Sequence, residues 1–161
     1  MNASGYKSRT LATWIAVIGG SLGLHRFYLR GLGDPWGWLH VPATLAGMVG
    51  VARMRQFGVD DQTAWLLIPL LGLSMSAAML AAIVSGLTPD ERWNARYNPD
   101  GPQHQGGWGA ILGVVFALVT GGGVLMATLA FSAQRYFEYQ AERAEARSDG
   151  AAQTNSARPT Q

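Results

Sequence analysis

The 22 charged side chains of this 161-residue chain leave four long stretches empty. Thr10–Leu24, Pro35–Ala52, Gln62–Pro89 and Gly101–Gln134 together hold 95 residues without a single Asp, Glu, Lys or Arg. Helices on the surface of a soluble domain carry charged side chains on the face toward water. Long uncharged stretches are typical of segments that lie in lipid, so the sequence predicts an integral membrane protein.

Four windows have the length of about 20 residues that a helix needs to cross a bilayer. They cover residues 10–29, 36–54, 64–87 and 108–131. We therefore predict an all-α integral membrane protein that folds as a bundle of four transmembrane helices. A cleaved signal peptide is an alternative for the first window, because Lys7 and Arg9 precede its apolar run and Ser21-Leu22-Gly23 has the form of a cleavage site.

Tryptophan prefers the boundary between lipid and water, because its ring is apolar and its N–H needs a hydrogen-bond partner. Five of the six tryptophans lie near the start of a predicted span, and the sixth lies in the third loop, residues 88–107, between the third and fourth windows. We predict that all six anchor the protein at the interface: Trp14, Trp36, Trp38, Trp65, Trp93 and Trp108.

The four windows divide the chain into four parts. Residues 1–9 form an N-terminal segment, and residues 10–55 form a hairpin of two spans. Residues 56–133 form a second pair of spans joined by the loop 88–107. Residues 134–161 continue as a helix and become disordered beyond Ser148, where the sequence is small and polar.

Basic residues indicate the orientation of this arrangement. The N-terminal segment, the second loop and the tail hold eight Lys and Arg residues, and the first and third loops hold four. The positive-inside rule then predicts that both termini are cytoplasmic. Arginine outnumbers lysine eleven to one, and Ala and Gly are abundant, which favours a bacterial cytoplasmic (inner) membrane as the location.

Small residues four positions apart let membrane helices approach each other closely. Such spacings occur in the first, second and fourth windows. We expect the following glycines to lie at helix contacts: Gly19, Gly47, Gly109, Gly113 and Gly121.

A compact basic and aromatic motif follows the first apolar run. Residues 19–31 read Gly-Gly-Ser-Leu-Gly-Leu-His-Arg-Phe-Tyr-Leu-Arg-Gly. This segment resembles the signature of the TM-two domain family, in which Gly-x-x-Gly-x-His-Arg-Phe-Tyr-Leu-Gly ends a first membrane helix. The matching positions are Gly20, Gly23, His25, Arg26, Phe27, Tyr28 and Leu29, within a similarity that covers about residues 7–55.

The resemblance implies a small multi-pass membrane protein and does not imply an enzyme. Arg30 departs from the family pattern, which has glycine there, and the second window lacks the aspartate often found in the family. From the residues themselves, the motif is either a turn that anchors the first hairpin or a recognition site for a partner or lipid. Arg26 is expected to pair with Asp34 or with a lipid phosphate.

The third loop contains a short helix by its capping pattern. Thr88 has the character of an N-cap, Pro89 suits the first position, and Trp93 and Tyr97 fall on one face of a helix. We predict an interfacial helix here. A partner-binding surface is the alternative interpretation of the same segment.

The composition excludes several kinds of chemistry. The chain has no cysteine, and the spacing of His25, His40 and His104 matches no metal-binding pattern. No nucleophile–base set or cofactor motif is present, and no basic cluster is typical of nucleic-acid binding. We therefore expect no catalytic residue, no metal, no cofactor and no nucleic-acid partner.

These observations favour a non-enzymatic membrane protein with an interaction, regulatory or structural role in the cell envelope. Its partners would be the lipid bilayer and either other membrane proteins or further copies of itself. A small transporter or channel subunit is the alternative, although coupled transport usually places ionisable residues within the spans.

Overall fold

The computed structural model describes residues 6–156, and within that range it is all-helical, with no strand. Residues 1–5 and 157–161 lie outside the described residues. A 3-10 turn at Gly20–Leu22 separates the first two of six α-helices. The helices are α1 (Arg9–Gly19), α2 (Leu24–Arg30), α3 (Pro35–Phe57), α4 (Gln62–Leu87), α5 (Asp90–Tyr97) and α6 (Trp108–Ser156).

Two of the described helices, α4 and α6, are long and apolar enough to cross a membrane. Their most apolar windows have a mean hydropathy of 2.2, yet only 22% and 28% of those windows is buried inside the protein. The large side chains left outside include Leu66, Leu80, Phe116 and Val119. Because the core helix of a soluble protein would be mostly buried, these two helices weakly indicate a membrane location.

Helix α3 has 23 residues, enough to span a bilayer in length, but it lacks the apolar composition of α4 and α6. It lies antiparallel to α4, and glycines bring the two helices into close contact. A side chain at Gly47 would collide with Leu71, and one at Gly50 would collide with the chain at Leu67 and Ile68. Because of this antiparallel contact, α3 and α4 lie side by side in the bundle.

Helix α6 also runs antiparallel to α4 and then extends beyond it. Met79 of α4 fills the space beside Gly121 of α6, and Arg135 lies over the ring of Trp65 near the start of α4. The helix continues to Ser156, although the sequence predicted disorder beyond Ser148. No proline ends the helix between Asp149 and Ser156, and Ala151 and Ala152 favour the helical conformation there.

Helix α1 packs into the angle between α4 and α6. Thr13 contacts the helices at Gly86 and Gly113, where the absence of side chains gives it room. One turn deeper, α1 joins the buried apolar cluster. Its members are Ala16, Val17, Met79, Ala82 and Ala117.

The chain then turns back inside the bundle. Gly23 follows the 3-10 turn with φ of +76°, a conformation that glycine adopts without the strain of a side chain. Helix α2 returns toward the start of α1, where the Tyr28 hydroxyl accepts a hydrogen bond from the N–H of Ser8 (2.9 Å). The Lys7 ammonium donates to the carbonyl of Leu29. We call α1, the 3-10 turn and α2 together the helical hairpin.

The single span predicted over residues 10–29 is therefore two short helices, of 11 and 7 residues. Each is too short to cross a bilayer, because the chain leaves the helical conformation at Gly19 (φ −122°, ψ 13°) and again at Gly23 (φ 76°). Residues 6–9 lie at the same end of the bundle as the loop 88–107, while α6 leaves the bundle at the opposite end. The N-terminal residues 6–9 and the part of α6 beyond Arg135 therefore lie at opposite ends of the bundle.

The N-terminal segment is held against the third loop. Lys7 makes three backbone hydrogen bonds there: its carbonyl accepts from Trp93 Nε1 (2.8 Å) and Asn98 Nδ2 (3.1 Å), and its N–H donates to Asn98 Oδ1 (2.9 Å). Helix α5 begins at Asp90, with Pro89 as its N-cap. The cap predicted at Thr88 does not form, since the Thr88 hydroxyl donates to the carbonyl of Val84 instead.

Replacing Gly20 with alanine is expected to loosen the hairpin. The added Cβ would lie 2.6 Å from the Cβ of Ala78 in α4, so we expect a loss of about 1–3 kcal/mol in the free energy of unfolding in detergent micelles. The second substitution Ala78→Gly should recover part of that loss, because it removes the colliding atom. Gly122→Ala is the control, since nothing lies within 4 Å of its Cβ. Equal unfolding temperatures for the Gly20→Ala and Gly122→Ala variants would contradict this packing.

Candidate functional site

Polar side chains from three segments meet at the tip of the helical hairpin, near the middle of α4. The carbonyl of Ser21, in the 3-10 turn, accepts hydrogen bonds from the hydroxyls of Thr44 in α3 and Ser74 in α4 (3.1 Å for Ser74). The two hydroxyl oxygens lie 3.1 Å apart. A turn inside an apolar bundle exposes backbone groups that lipid cannot pair, and these hydroxyls supply the missing partners.

Two histidines extend this polar cluster. Nδ1 of His40 lies 3.0 Å from the Ser74 hydroxyl, and the rings of His40 and His25 meet edge to face with centroids 5.6 Å apart. Because the Ser74 hydroxyl already donates to Ser21, His40 satisfies the most hydrogen bonds when its proton is on Nδ1. Its Nε2 then remains an acceptor.

His25 is 4% exposed, and its Nδ1 has no hydrogen-bond partner among residues 6–156. A buried N–H without a partner is costlier than an unpaired ring lone pair, because a donor that loses water loses its only bond. The proton of neutral His25 is therefore best placed on Nε2. This leaves His25 as a donor.

An ion pair joins α2 of the helical hairpin to the residue before α3. Nε of Arg26 donates to Asp34 Oδ2 at 2.7 Å, and Nη1 of Arg30 lies 4.0 Å from the same oxygen. The hydrogen bond from Arg26 holds the pKa of the Asp34 carboxyl below its ordinary value. Arg26 was expected to pair with Asp34 or with a lipid phosphate, and in the structure it pairs with Asp34. The Asp34 carboxylate thus faces two guanidinium groups, those of Arg26 and Arg30.

The remaining motif residues hold the hairpin in place. The Phe27 ring fills the space beside Gly37 and lies 5.2 Å from the ring of Trp38. Gly20 faces Ala78, and Gly23 approaches the carbonyl of Gly37. The motif therefore lies within the bundle.

A cavity of about 350 Å³ opens beside this cluster, between α3 and α4. One wall is polar, with His25, Arg26, His40 and Ser74. The other residues around it are apolar and include Trp36, Leu39, Ala43, Leu70 and Leu73. The cavity thus has the two-part character that a ligand with a polar and an apolar end requires.

The glycines expected at helix contacts lie in different surroundings. Gly19 borders the side chain of Leu24 in the same hairpin, so Gly19 and Gly23 do not form a stripe on one helix. The other four face neighbouring helices: Gly47 faces Leu71, Gly109 faces Thr10, Gly113 faces Thr13 and Gly121 faces Met79.

The tryptophans also divide into two groups. Trp36, Trp38 and Trp108 are more than half exposed, and the half-buried Trp14 and Trp65 use their N–H groups to bond the carbonyls of nearby residues. Trp93 differs, since it is 2% exposed and lies under the N-terminal segment. Its role in this structure is to hold the third loop.

His104 belongs to that loop and not to the cavity. Its Nδ1 lies 2.6 Å from the Tyr6 hydroxyl, and its backbone bonds the Asn94 side chain through both N–H and carbonyl. Burial lowers the pKa of His104 below its ordinary value of 6.5. Among residues 6–156, no three His, Asp or Glu side chains converge in a way that could hold a metal ion.

The hydroxyl partners of the hairpin tip, Thr44 and Ser74, were not among the predicted site residues, and His40 was weighed there as a metal ligand. His40 and Thr44 lie four residues apart, which puts both on one face of α3, and this spacing of polar residues in an uncharged window was the available signal.

Comparison with known proteins identifies no relative: no family model, curated protein or solved structure matches the chain. The function therefore has to be argued from the hairpin, the polar cluster and the cavity. These three features share residues, so they form one candidate site.

Removing the two hydroxyls at the hairpin tip is expected to destabilise the protein more than additively. Thr44→Val or Ser74→Ala alone leaves Ser21 with one partner, whereas the double variant leaves a partly buried carbonyl unpaired at a cost of about 1–3 kcal/mol. The measurement is a double-mutant cycle of unfolding free energies in micelles. Ser76→Ala is the control, because its hydroxyl donates only within α4, to Gly72. An additive cycle with losses no larger than that of the control would contradict the assignment.

Proposed function

We propose that this chain is a non-enzymatic, multi-pass protein of the bacterial cytoplasmic membrane, with an interaction or structural role in the cell envelope. The observation that carries the proposal is the small buried share, 22% and 28%, of two helices with a mean hydropathy of 2.2. Such surfaces need lipid or another apolar partner to cover them. Helix α3 packs along α4 at Gly47 and Gly50, so α3 would cross the membrane beside α4.

In this proposal α3, α4 and α6 cross the membrane, and the helical hairpin enters it from one side and returns. The N-terminal segment and the tail then face opposite sides. Three crossings, in place of four, change how many Lys and Arg residues lie on each side of the membrane. The side of the third loop has six basic residues (Lys7, Arg9, Arg26, Arg30, Arg92 and Arg96), and the other side has six (Arg53, Arg55, Arg135, Arg143, Arg147 and Arg158). The positive-inside rule therefore favours neither orientation.

We also propose that the chain is of the TM-two domain type. The support is the match of seven motif positions between Gly20 and Leu29. Their contacts suggest what such a motif does here: the glycines let the chain turn against α3 and α4, and Phe27 and Tyr28 fix the returning helix.

The third loop offers a surface for a partner. Helix α5 has Trp93 and Asn94 buried beneath it, while Glu91, Arg92 and Arg96 are exposed. Trp93 and Asn98 donate hydrogen bonds to the Lys7 carbonyl and hold the helix to the N-terminal segment, so these charged side chains project from a fixed support. A fixed array of charges suits recognition of the outer part of another membrane protein.

A transporter or channel subunit is the second candidate. The observation that favours it is the polar cluster around Ser74, reached by a chain that turns inside the bundle. Interrupted helices near the midplane are a common way to build transport sites. Against this, His40 is the only ionisable side chain among the described residues that is hydrogen-bonded to Ser74, and His25 packs against the His40 ring.

Charge reversal on α5 distinguishes these functions. Tagged protein extracted in mild detergent should retain a membrane-protein partner or a second copy, and Arg92→Glu with Arg96→Glu should reduce the retained amount at least about tenfold by removing the complementary charge. Arg143→Glu on the protruding part of α6 is the control and should have no effect. Purified protein in liposomes should give the same potassium and proton flux as empty vesicles. Flux above that background, with no retained partner, would contradict the proposal and favour the channel.

A further inference from the structure

We infer that the cavity between α3 and α4 binds one anionic phospholipid, with its phosphate near Arg26 and an acyl chain along the apolar wall. This inference rests on the proposed membrane location and specifies a ligand for the candidate site. It depends on the shape of the cavity, on its charge and on the donors it contains.

The cavity has its polar and apolar parts in the order that a lipid requires. Trp36 lies in the first turn of α3, at the end of the bundle where the ion pair of Arg26 and Asp34 closes the hairpin. From there the lining follows α4 from Ala81 to Leu70, about 16 Å along the helix axis. Leu39 and Leu73, on either side, are half exposed toward the surface of the bundle. An amphiphile could therefore enter laterally from the bilayer.

The charge of the site favours an anion. Arg26 and Arg30 share the single carboxylate of Asp34, which leaves one positive charge in excess. The described residues that line the cavity include no Asp or Glu. Asp34 accepts its hydrogen bond from Nε of Arg26, so the terminal nitrogen atoms of this guanidinium remain for a second acceptor. Phosphate oxygens suit this geometry, because two parallel N–H groups can bind them together.

The neighbouring polar groups complete the site for a phosphate ester. His25, protonated on Nε2, adds a donor beside Arg26. His40, protonated on Nδ1, presents an acceptor that a headgroup hydroxyl can bond. A glycerol headgroup supplies both the phosphate and such hydroxyls, so phosphatidylglycerol has the matching chemistry. A free phosphate ion would leave the apolar wall uncovered.

The test is native mass spectrometry of the purified full chain with equal amounts of phosphatidylglycerol and phosphatidylcholine of the same acyl chains. We expect one bound lipid and a preference of about tenfold or more for phosphatidylglycerol. Arg26→Gln should abolish the preference. Arg53→Gln should not, although Arg53 makes the equivalent ion pair with Asp61 (2.8 Å) at the other end of α3. Ala43→Phe fills the cavity without changing its charge and should reduce binding of both lipids at least about tenfold.

Three results would overturn the inference. They are an unchanged preference in Arg26→Gln, an equal loss in Arg53→Gln, and unchanged binding in Ala43→Phe. Millimolar inorganic phosphate is a further arm, and displacement of the lipid by it would assign the site to a soluble phosphate. If Arg26→Gln does not fold, Ala43→Phe still decides whether the lipid occupies this cavity. Membrane insertion of the same chain, assayed separately, distinguishes failure of this inference from failure of the proposed location.

Discussion

Backbone groups that turn inside an apolar bundle need partners, and the arrangement of this protein depends on how Ser21 finds them. The hydroxyls of Thr44 and Ser74 bond the carbonyl that the 3-10 turn leaves open, so the hairpin can end in the middle of the bundle. A turn at that depth returns α2 to the start of α1. The same hydroxyls bring α3 and α4 together at the turn and support His40, so one set of bonds defines both the fold and the wall of the cavity.

The hairpin changes what the charge distribution means. Four uncharged stretches remain, but the first holds α1 and the 3-10 turn and ends at Leu24, where α2 begins. In the proposed topology of three crossings, Lys7 and Arg9 lie on the side of the third loop, where Arg9 bonds the carbonyl of Thr88 and lies 3.2 Å from Asp90. Within the motif, Arg26 and Arg30 share the carboxylate of Asp34. The two guanidinium groups therefore carry one more positive charge than this carboxylate neutralises, which is the charge proposed to bind an anion.

Much of the helix content could be predicted from the sequence, because α4 is uncharged throughout and α6 is uncharged as far as Gln134, and both are long and apolar there. The hairpin could not, since an interrupted helix and a continuous one leave the same uncharged stretch, and the break depends on the backbone conformations of Gly19 and Gly23. Trp93 shows the same limit: a tryptophan at an interface and one under a loop have the same neighbours in sequence, and the burial of Trp93 and its bond to the Lys7 carbonyl appear only in the fold. The motif residues were identified, but their partners Thr44 and Ser74 come from distant segments, which one sequence does not connect.

Labelling of single cysteines in sealed membrane vesicles tests the central claim most directly, and the chain has no cysteine of its own to remove. One cysteine at a time would be introduced by Ser4→Cys, Asp60→Cys, Gly101→Cys or Asp149→Cys and treated with a reagent that does not cross the membrane. A hairpin that enters and returns predicts that the cysteine at position 4 reacts from the same side as that at 101, and that those at 60 and 149 react from the other side. If the cysteine at position 4 instead reacts together with those at 60 and 149, the first apolar stretch crosses the membrane and the account is contradicted.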